Sequence, residues 1–465
     1  MGNPKAFLTV PRQEAGYRPV HDRIMDFSEV EQTLNTSERK LQASRCMDCG
    51  VPFCHWACPL GNRPPEFQDA MYKGKWKEAY EILTGTNDFP EFTGRICPAL
   101  CEKSCVLKLS MDAPVTIRED EAAIIEAAFR EGYVQARQYE RNGKSVAVIG
   151  SGPAGLTCAG DLAKLGYDVT IFEALHKAGG VLSYGIPEFR LPKTKVVDKE
   201  VENVQSLGVK IETNVVIGKA TTIDELLEEE GFDAVFVGSG AGLPRFMGIP
   251  GENANGVFSA NEYLTRSNLM KAFDENYDTP IIAGKKVAVV GGGNVAMDAA
   301  RTALRLGAEV HIVYRRSEEE LPARVEEVHH AKEEGIIFDL LTNPTQIFTD
   351  EDGNVSGMEC IRMELGEPDE SGRRRPVEIA GSEFTLDVDT VIMSLGTSPN
   401  PLISSTTKGL ETNRRKCIVA EEQNGQTSKA KVYAGGDAVT GAATVILAMG
   451  AGKAAAKGIH EFLSK

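Results

Sequence analysis

Seven of the ten cysteines in this chain fall between Cys46 and Cys105. They run Cys46-x2-Cys49-x4-Cys54-x3-Cys58, then Cys97-x3-Cys101-x3-Cys105. Three chemistries compete for them. Disulfides staple small exported domains, and the first residues here lack the apolar stretch of a secretory signal. Structural zinc pairs two C-x2-C knuckles across a longer gap, and Cys46-x2-Cys49 is the one such knuckle in the run. Dense, short-spaced cysteines followed by proline are a habit of iron–sulfur ligation, and Cys58-Pro59 and Cys97-Pro98 both show it. Iron–sulfur clusters are the expected occupants.

The ligand count carries information. Two four-iron clusters take four protein ligands each, and the run supplies seven cysteines. Either one ligand is not cysteine or one cluster is incomplete. Cys158, Cys360 and Cys417 lie far along the chain in helical or strand-like contexts and read as small buried hydrophobes. A carboxylate shortly after Cys105 is the better eighth ligand. Thr116-Ile-Arg-Glu119-Asp120-Glu121 opens a helix with acids in its first turn, where the dipole favours them. Composition alone leaves Glu119, Asp120 and Glu121 open.

Two glycine fingerprints come next along the chain: Gly150-Ser-Gly152-Pro153-Ala154-Gly155 and Gly291-Gly-Gly293-Asn294-Val295-Ala296. Such a motif is weak alone and strong between a strand and a helix. Lys144–Gly150 is a short apolar strand, apolar residues recur at helical spacing through Leu156, Leu162 and Leu165, and Asp168–Glu173 is the next strand. Gly150 permits the tight turn, Gly152 lets backbone approach a pyrophosphate, and Gly155 allows close helix–strand packing. Glu173 ends the second strand, where an acid meets ribose hydroxyls. The second unit repeats the pattern with a strand over Lys285–Gly291, a helix from Asn294 to about Leu306 and a strand over Glu309–Arg315. Its end reads Tyr314-Arg315-Arg316 instead of an acid, which favours a 2′-phosphate. The first site therefore reads FAD and the second NADPH. A competing account pairs Arg315 and Arg316 with Glu318 to Glu320 on a solvated strand end.

Lys431-Val-Tyr-Ala-Gly-Gly436-Asp437 reads as a third strand ending in glycines and an acid, before an apolar helix from Thr444 through Ala456. By motif analogy Gly436-Asp437 meets the flavin's ribityl and phosphate. The flavin domain is then split, with the NADPH module inserted between its halves. The expected fold is α/β: an N-terminal α-helical iron–sulfur domain over 1–143, a Rossmann-like FAD domain over 144–243 and 396–465, and an NADPH domain over 244–395. The pair His329-His330 lies in a charged helical stretch and reads as a solvated face.

The totals agree with this plan. A chain of 465 residues accommodates about three domains. Its 42% hydrophobic and 25% charged content is that of a globular protein. A net charge of −16 argues against wrapping nucleic acid, and no apolar run of about 18 residues is present to cross a membrane. Gly2 invites myristoylation, but Ala6 stands where Ser or Thr is required. The cytoplasm is the expected compartment.

These residues resemble the small (beta) subunit of bacterial-type NADPH-dependent glutamate synthase. The resemblance runs over nearly the whole chain. It includes Gly2–Leu8, Tyr17-Arg-Pro-Val, Cys46-Met-Asp-Cys-Gly-Val-Pro-Phe-Cys54, Asn87–Pro98, Pro114-Val-Thr-Ile and Tyr184–Pro192, and is weakest from Thr342 to Glu383. The N-terminal half of dihydropyrimidine dehydrogenase and flavin subunits that couple NADPH to ferredoxin are similar. The resemblance implies that Cys46, Cys49, Cys54 and Cys105 hold one [4Fe-4S] cluster, and Cys58, Cys97, Cys101 and Glu121 a second. It places Val181 and Arg190 near FAD, with Gly436, Asp437, Thr444 and Val445 on its other side. Gly293, Asn294 and Val295 would meet the NADPH pyrophosphate, and Ser394-Leu-Gly396 the nicotinamide side.

The resemblance implies an NADPH-oxidising electron-transfer subunit. NADPH delivers two electrons as a hydride, clusters take one at a time, and a flavin handles both. The implied partner is a large (alpha) subunit that makes glutamate from glutamine and 2-oxoglutarate. This chain shows no amidotransferase nucleophile, since Gly2 follows Met1. The rivals are a subunit exchanging electrons between NADPH and ferredoxin, and a non-catalytic assembly subunit. Intact fingerprints and seven cysteines speak against the latter.

Overall fold

The computed structural model describes residues 3, 5–135, 138–368 and 372–465. Gly2, the myristoylation candidate and first residue of the Gly2–Leu8 motif, lies outside them. The cysteine-bearing part is helical: α1 (Thr36–Ala43), α2 (Phe53–Ala57), α3 (Pro64–Tyr72), α4 (Trp76–Thr84), α5 (Pro90–Ile96), α6 (Leu100–Lys103), α7 (Val106–Met111) and α8 (Ile117–Arg130). Asn35 starts α1 with a capping box. Its Oδ1 accepts from the Ser37 and Glu38 amides at 3.0 Å, and Glu38 accepts from the Asn35 amide at 3.0 Å. Prolines open α3 and α5, where a missing N–H is an orphan anyway. At Gly94 of α5 an added Cβ would sit 2.7 Å from Ala122 Cβ, so α5 and α8 meet backbone to backbone beside Glu121.

Beyond the helical part lie two parallel sheets. The first is ordered β16-β4-β1-β2-β3, with β1 Ser145–Ile149, β2 Asp168–Phe172, β3 Lys210–Glu212, β4 Ala234–Val237 and β16 Val432–Ala434. Its last-joining strand comes from nearly 200 residues downstream of β4, as 432 − 237 shows. The second is ordered β6-β14-β7-β8-β9, with β6 Val257–Ser259, β7 Lys286–Val290, β8 Glu309–Tyr314, β9 Ile337–Leu340 and β14 Thr390–Met393. The Val/Ile-rich central strands β1, β4, β7 and β14 are buried nearly end to end, as parallel strands covered on both faces must be. The flavin-type domain is thus split around the second sheet, as the sequence predicts. At the crossing points β5 (Leu243–Pro244) pairs antiparallel with β15 (Thr397–Ser398).

The stretch from Thr342 to Glu383 forms β10 (Thr342–Thr349), β11 (Val355–Pro368) and β12 (Arg374–Glu378), an antiparallel flap on which β13 (Phe384–Leu386) also pairs with β11. Helix α9 (Pro153–Lys164) follows β1, and α10 (Asn294–Arg305) follows β7. Helix α11 (Val325–Glu333) packs beside α10, and α12 (Val445–Leu463) closes the chain. α12 runs seven residues past the expected Ala456. Gly458 lies inside it, where the missing side chain admits the Asn424 carbonyl oxygen, 2.3 Å from where a Cβ would stand.

One hydrophobic core joins the cysteine-bearing part to the first sheet. Leu60, Phe89, Phe92 and Ile96 share it with Val148, Leu156, Leu182 and Met449, and Cys58 and Cys97 pack against it. The segment before α1 reaches further, onto α11. Arg23 is buried there between Glu333 and Glu334 at 2.9 Å each, and Tyr17 lies edge-on to His330 at 4.2 Å. His330 is therefore not on a solvated face, contrary to the sequence reading. His329 is exposed, but burial, with the Arg301 charge, pushes His330 down to about 4. Cys158, Cys360 and Cys417 are core residues as expected.

Candidate iron–sulfur and nucleotide sites

None of the seven cysteines is in a disulfide, and they divide in space into two groups. Cys46, Cys49, Cys54 and Cys105 line one small cavity between α2, α3 and α7. Its remaining walls are largely apolar, among them Pro52, Phe53, Pro65, Leu107 and Ile117. Burial pushes the Cys46 and Cys54 thiols up to about 12, and the neighbouring sulfurs add to this. Thiolates in such a place need a cation, which an iron cluster supplies. Four cysteines set around one cavity fit a polynuclear group.

The other group is Cys58, Cys97 and Cys101 with Glu121. Burial first, then the Glu121 charge, raises Cys97 to about 12 and Cys101 well above its ordinary value. Burial also raises Cys58, and Glu121 adds to it. Glu121 itself is carried up to about 7 by burial, against hydrogen bonds from Thr93 and Asn62. Its Oε1 accepts from Asn62 Nδ2 at 2.9 Å and its Oε2 from Thr93 Oγ1 at 2.8 Å. Asn87 and Thr86 in turn hold Thr93 and Asn62, each at 2.8 Å. Glu119 and Asp120 turn the other way, onto Arg39 at 2.7 and 3.4 Å. Of the three acids left open by the sequence, the fold brings only Glu121 to the cysteines. Asn62 and Thr93 were not legible, since nothing in their local spacing marks them.

At the first fingerprint Gly150 has φ +94°, and a Cβ on Gly155 would stand 1.9 Å from the Gly150 carbonyl oxygen. Gly152 caps α9, and a Cβ there would meet nothing within 4 Å, so its backbone faces open space at a helix N-terminus. Pro153 is the first residue of α9 and Ala154 is buried. Glu173 is held by its own surroundings: it accepts from the Ser151 amide at 3.0 Å, from Ser151 Oγ, and from the Leu175 amide at 2.8 Å. Ser151 Oγ accepts from the Gly179 amide at 2.9 Å, which draws the loop before Val181 over the fingerprint. On the other side Gly436 has φ +66° and abuts Ala154. Asp437 is raised to about 6 by burial, opposed by the Ala443 amide. Thr444, the residue before Val445 and α12, keeps a buried Oγ1 with no partner. An orphaned hydroxyl at the head of a long helix, opposite an open fingerprint, fits FAD. Arg190 is committed differently: its guanidinium takes both Asp298 oxygens at 2.8 Å and Glu327 at 2.8 Å.

At the second fingerprint Gly291 (φ +139°) passes 2.2 Å, at its Cβ position, from the Ser394 carbonyl oxygen. Gly293 caps α10 and faces open space, and Ala296 is buried. Asn294 Oδ1 accepts from the Arg324 amide at 2.9 Å, while Val295 is 44% exposed at the helix head. Gly396 has φ +89° beside the β5–β15 pair. Arg315 is exposed with no ion pair among the described residues, and Arg316 spends one N–H on the Arg374 carbonyl at 3.0 Å. Glu318 pairs with Lys332, and Glu319 and Glu320 with Arg374. The competing account, arginines neutralised by those acids, is not what the fold adopts.

Residues 144–452 match the pyridine nucleotide–disulphide oxidoreductase family, and residues 23–133 match dihydropyrimidine dehydrogenase domain II, a 4Fe-4S cluster domain. The chain is 37% identical to the glutamate synthase [NADPH] small chain of Escherichia coli, covering 99% of both chains. It is 39% identical to that of Azospirillum brasilense, covering 98% of this chain and 95% of the relative. The chain belongs to the glutamate synthase [NADPH] small-chain family. It is an NADPH-dependent oxidoreductase of the electron-transfer kind, with FAD and 4Fe-4S domains. Among solved structures, Mycobacterium tuberculosis FprA in complex with NADPH superposes with a TM-score of 0.57 at 19% identity, covering 69% of this chain and 85% of that one. That likeness concerns the two-sheet fold. No described helix of this small-chain relative is long and apolar enough to cross a membrane.

Proposed function

We propose that this chain oxidises NADPH at the Gly291 fingerprint and delivers the electrons, through FAD and two [4Fe-4S] clusters, to a glutamate synthase large subunit. The observation that carries the reading is the shared core: Cys58 and Cys97 pack against the same hydrophobic cluster that holds Ala154 of the first fingerprint and Ile446 and Ala448 of α12. FAD and the clusters supply what no side chain can, the conversion of a hydride into single electrons.

The chain's own residues bind and orient. Gly150, Gly152, Pro153, Ala154 and Gly155 receive the FAD pyrophosphate at the head of α9, and Glu173 takes the ribose. Val181, Gly436, Asp437, Thr444 and Val445 enclose the remainder, and Arg190 fixes the neighbouring loop through Asp298. Gly291, Gly293, Asn294, Val295 and Ala296 receive the NADPH pyrophosphate, with Arg315 and Arg316 on its 2′-phosphate and Gly396 on the nicotinamide side. Cys46, Cys49, Cys54 and Cys105 hold one cluster. Cys58, Cys97, Cys101 and Glu121 hold the other, with Asn62 and Thr93 fixing the carboxylate. The modules run 1–143, 144–243 with 396–465, and 244–395, supported by the β5–β15 pairing at the junctions. The cytoplasm is the compartment, since thiolate-held iron suits reducing conditions.

Reconstitution tests the reading. With a glutamate synthase large subunit, glutamine and 2-oxoglutarate, NADPH loss coupled to glutamate is expected. Flavin bleaching by NADPH without coupled turnover, but with ferredoxin reduction, would transfer the chain to the ferredoxin-coupled kind.

A further inference from the structure

We propose that Gly450 is a positioning residue that sets the spacing between the flavin cradle and the nearer cysteine group. The proposal rests on the flavin and cluster assignments of the proposed function. Helix α12 begins at Val445, just past the orphaned Thr444 hydroxyl. Gly450 lies five residues further on, a rise of roughly 7 Å along the axis. A Cβ at that point would come within 3.1 Å of Pro59 Cβ and 3.2 Å of the Pro59 carbonyl oxygen. Pro59 follows Cys58 directly.

The opposite side of the helix is as close to the flavin fingerprint. A Cβ on Gly452 would stand 2.3 Å from the Ala154 carbonyl oxygen, and two residues along a helix turn the side-chain direction by roughly 200°. α12 is therefore wedged between the α9 fingerprint and the cysteine-bearing turn, with a glycine at each contact. Gly450 has no positive φ to justify it. A glycine inside a helix is destabilising relative to alanine, so what this one provides is proximity.

The redox balance places the contact on the route. Each NADPH gives up a hydride, two electrons and one proton, and becomes NADP⁺. The electrons go singly to the two clusters, and the proton goes to water. The Gly450–Pro59 contact would bear on the single-electron step, since it joins the helix behind the flavin cradle to the turn that carries Cys58. Hydride transfer occurs on the nicotinamide side and is untouched by it.

The test uses the full chain, purified anaerobically with flavin and iron, as wild type, Gly450→Ala, Gly450→Val, Gly450→Leu and a Lys457→Leu control on the exposed face. Rapid mixing with NADPH tracks flavin bleaching and the reduced-cluster paramagnetic signal separately, alongside iron content and melting temperature. Bleaching rate and iron content are expected to stay at wild-type values. Cluster reduction should slow progressively with side-chain size, most in Gly450→Leu, whose side chain must displace Pro59. A folded, iron-replete Gly450→Leu that reduces its clusters at the wild-type rate overturns the proposal. Should that variant lose iron, wild-type rates in both Gly450→Ala and Gly450→Val overturn it equally. A wild-type flavin that NADPH does not bleach instead brings down the underlying functional reading.

Discussion

Glu334, at the end of α11, accepts hydrogen bonds from three arginines of two different parts of the chain: Arg23 at 2.9 Å, Arg301 at 3.0 and 2.9 Å, and Arg305 at 2.8 and 3.2 Å. Burial alone would raise its carboxyl. The hydrogen bonds from Arg305 and Arg301, with their charge, overcome this and hold it at about 2, down from 4.5. A depressed carboxyl contributes stability that is fully present above its unfolded value and is lost as pH falls through the folded one. At neutral pH that contribution is about 3 kcal/mol, from roughly 2.5 units at 1.36 kcal/mol each. Breaking a buried pair by removing one partner gives a similar figure, about 3–5 kcal/mol. Glu334→Gln leaves Arg301 with Glu327 and Arg23 with Glu333, and leaves Arg305 without a carboxylate. Its melting temperature at pH 7 should fall by about 6–12 °C for a domain of this size. The Arg23 segment should also become sensitive to limited proteolysis. Glu333→Gln, 54% exposed at its side chain, serves as control and should shift the melt by no more than about 1 kcal/mol in equivalent terms. A Glu334→Gln protein melting within a degree of wild type would refute the reasoning.

Three further outcomes are expected. Burial, with the Glu91 charge, raises Glu200 from 4.5 to about 8 against Asn203 and Arg95. Its contribution is therefore intact below 4.5 and lost as pH rises through 8, so wild type should lose up to about 4 kcal/mol relative to Glu200→Gln between pH 5 and 8, read by denaturant melts; a pH-independent difference would contradict this. Glu121→Ala should cost iron at the Cys58 group while the Cys46 cavity keeps its cluster, and full iron retention would remove Glu121 as a ligand. Arg315→Asp with Arg316→Asp should raise KM for NADPH far more than for NADH, and equal losses would reject the 2′-phosphate role.

The parts of the site legible in the sequence are those fixed by local rules. A strand, a fingerprint and a helix occupy contiguous residues, so β1 and α9, or β7 and α10, can be placed to within a residue or two. The illegible parts depend on partners far along the chain. Tyr17 buries His330 from 313 residues away, and a charged helical stretch gives no hint of it. Glu334 takes its meaning from Arg23. The choice among Glu119, Asp120 and Glu121 is one of helix rotation relative to Arg39, Asn62 and Thr93, which lie on other helices or on the turn before α3. Arg190 obeys the same logic: its motif places it by the flavin loop, but its charge is claimed by α10 and α11.

The β5–β15 ribbon lays the departing and returning strands of the inserted unit side by side, Leu243 against Ser398 and Pro244 against Thr397. To the flavin sheet, the excursion is equivalent to a tight hairpin, however many residues it contains. On the proposed assignment, coenzyme preference is held in a cassette whose two ends meet at one point, where a unit with a different preference could be spliced without rethreading the sheet. Such a graft has one further requirement: it must bring its own counterparts of Glu333 and Glu334, or the buried arginine of the leading segment is left stranded.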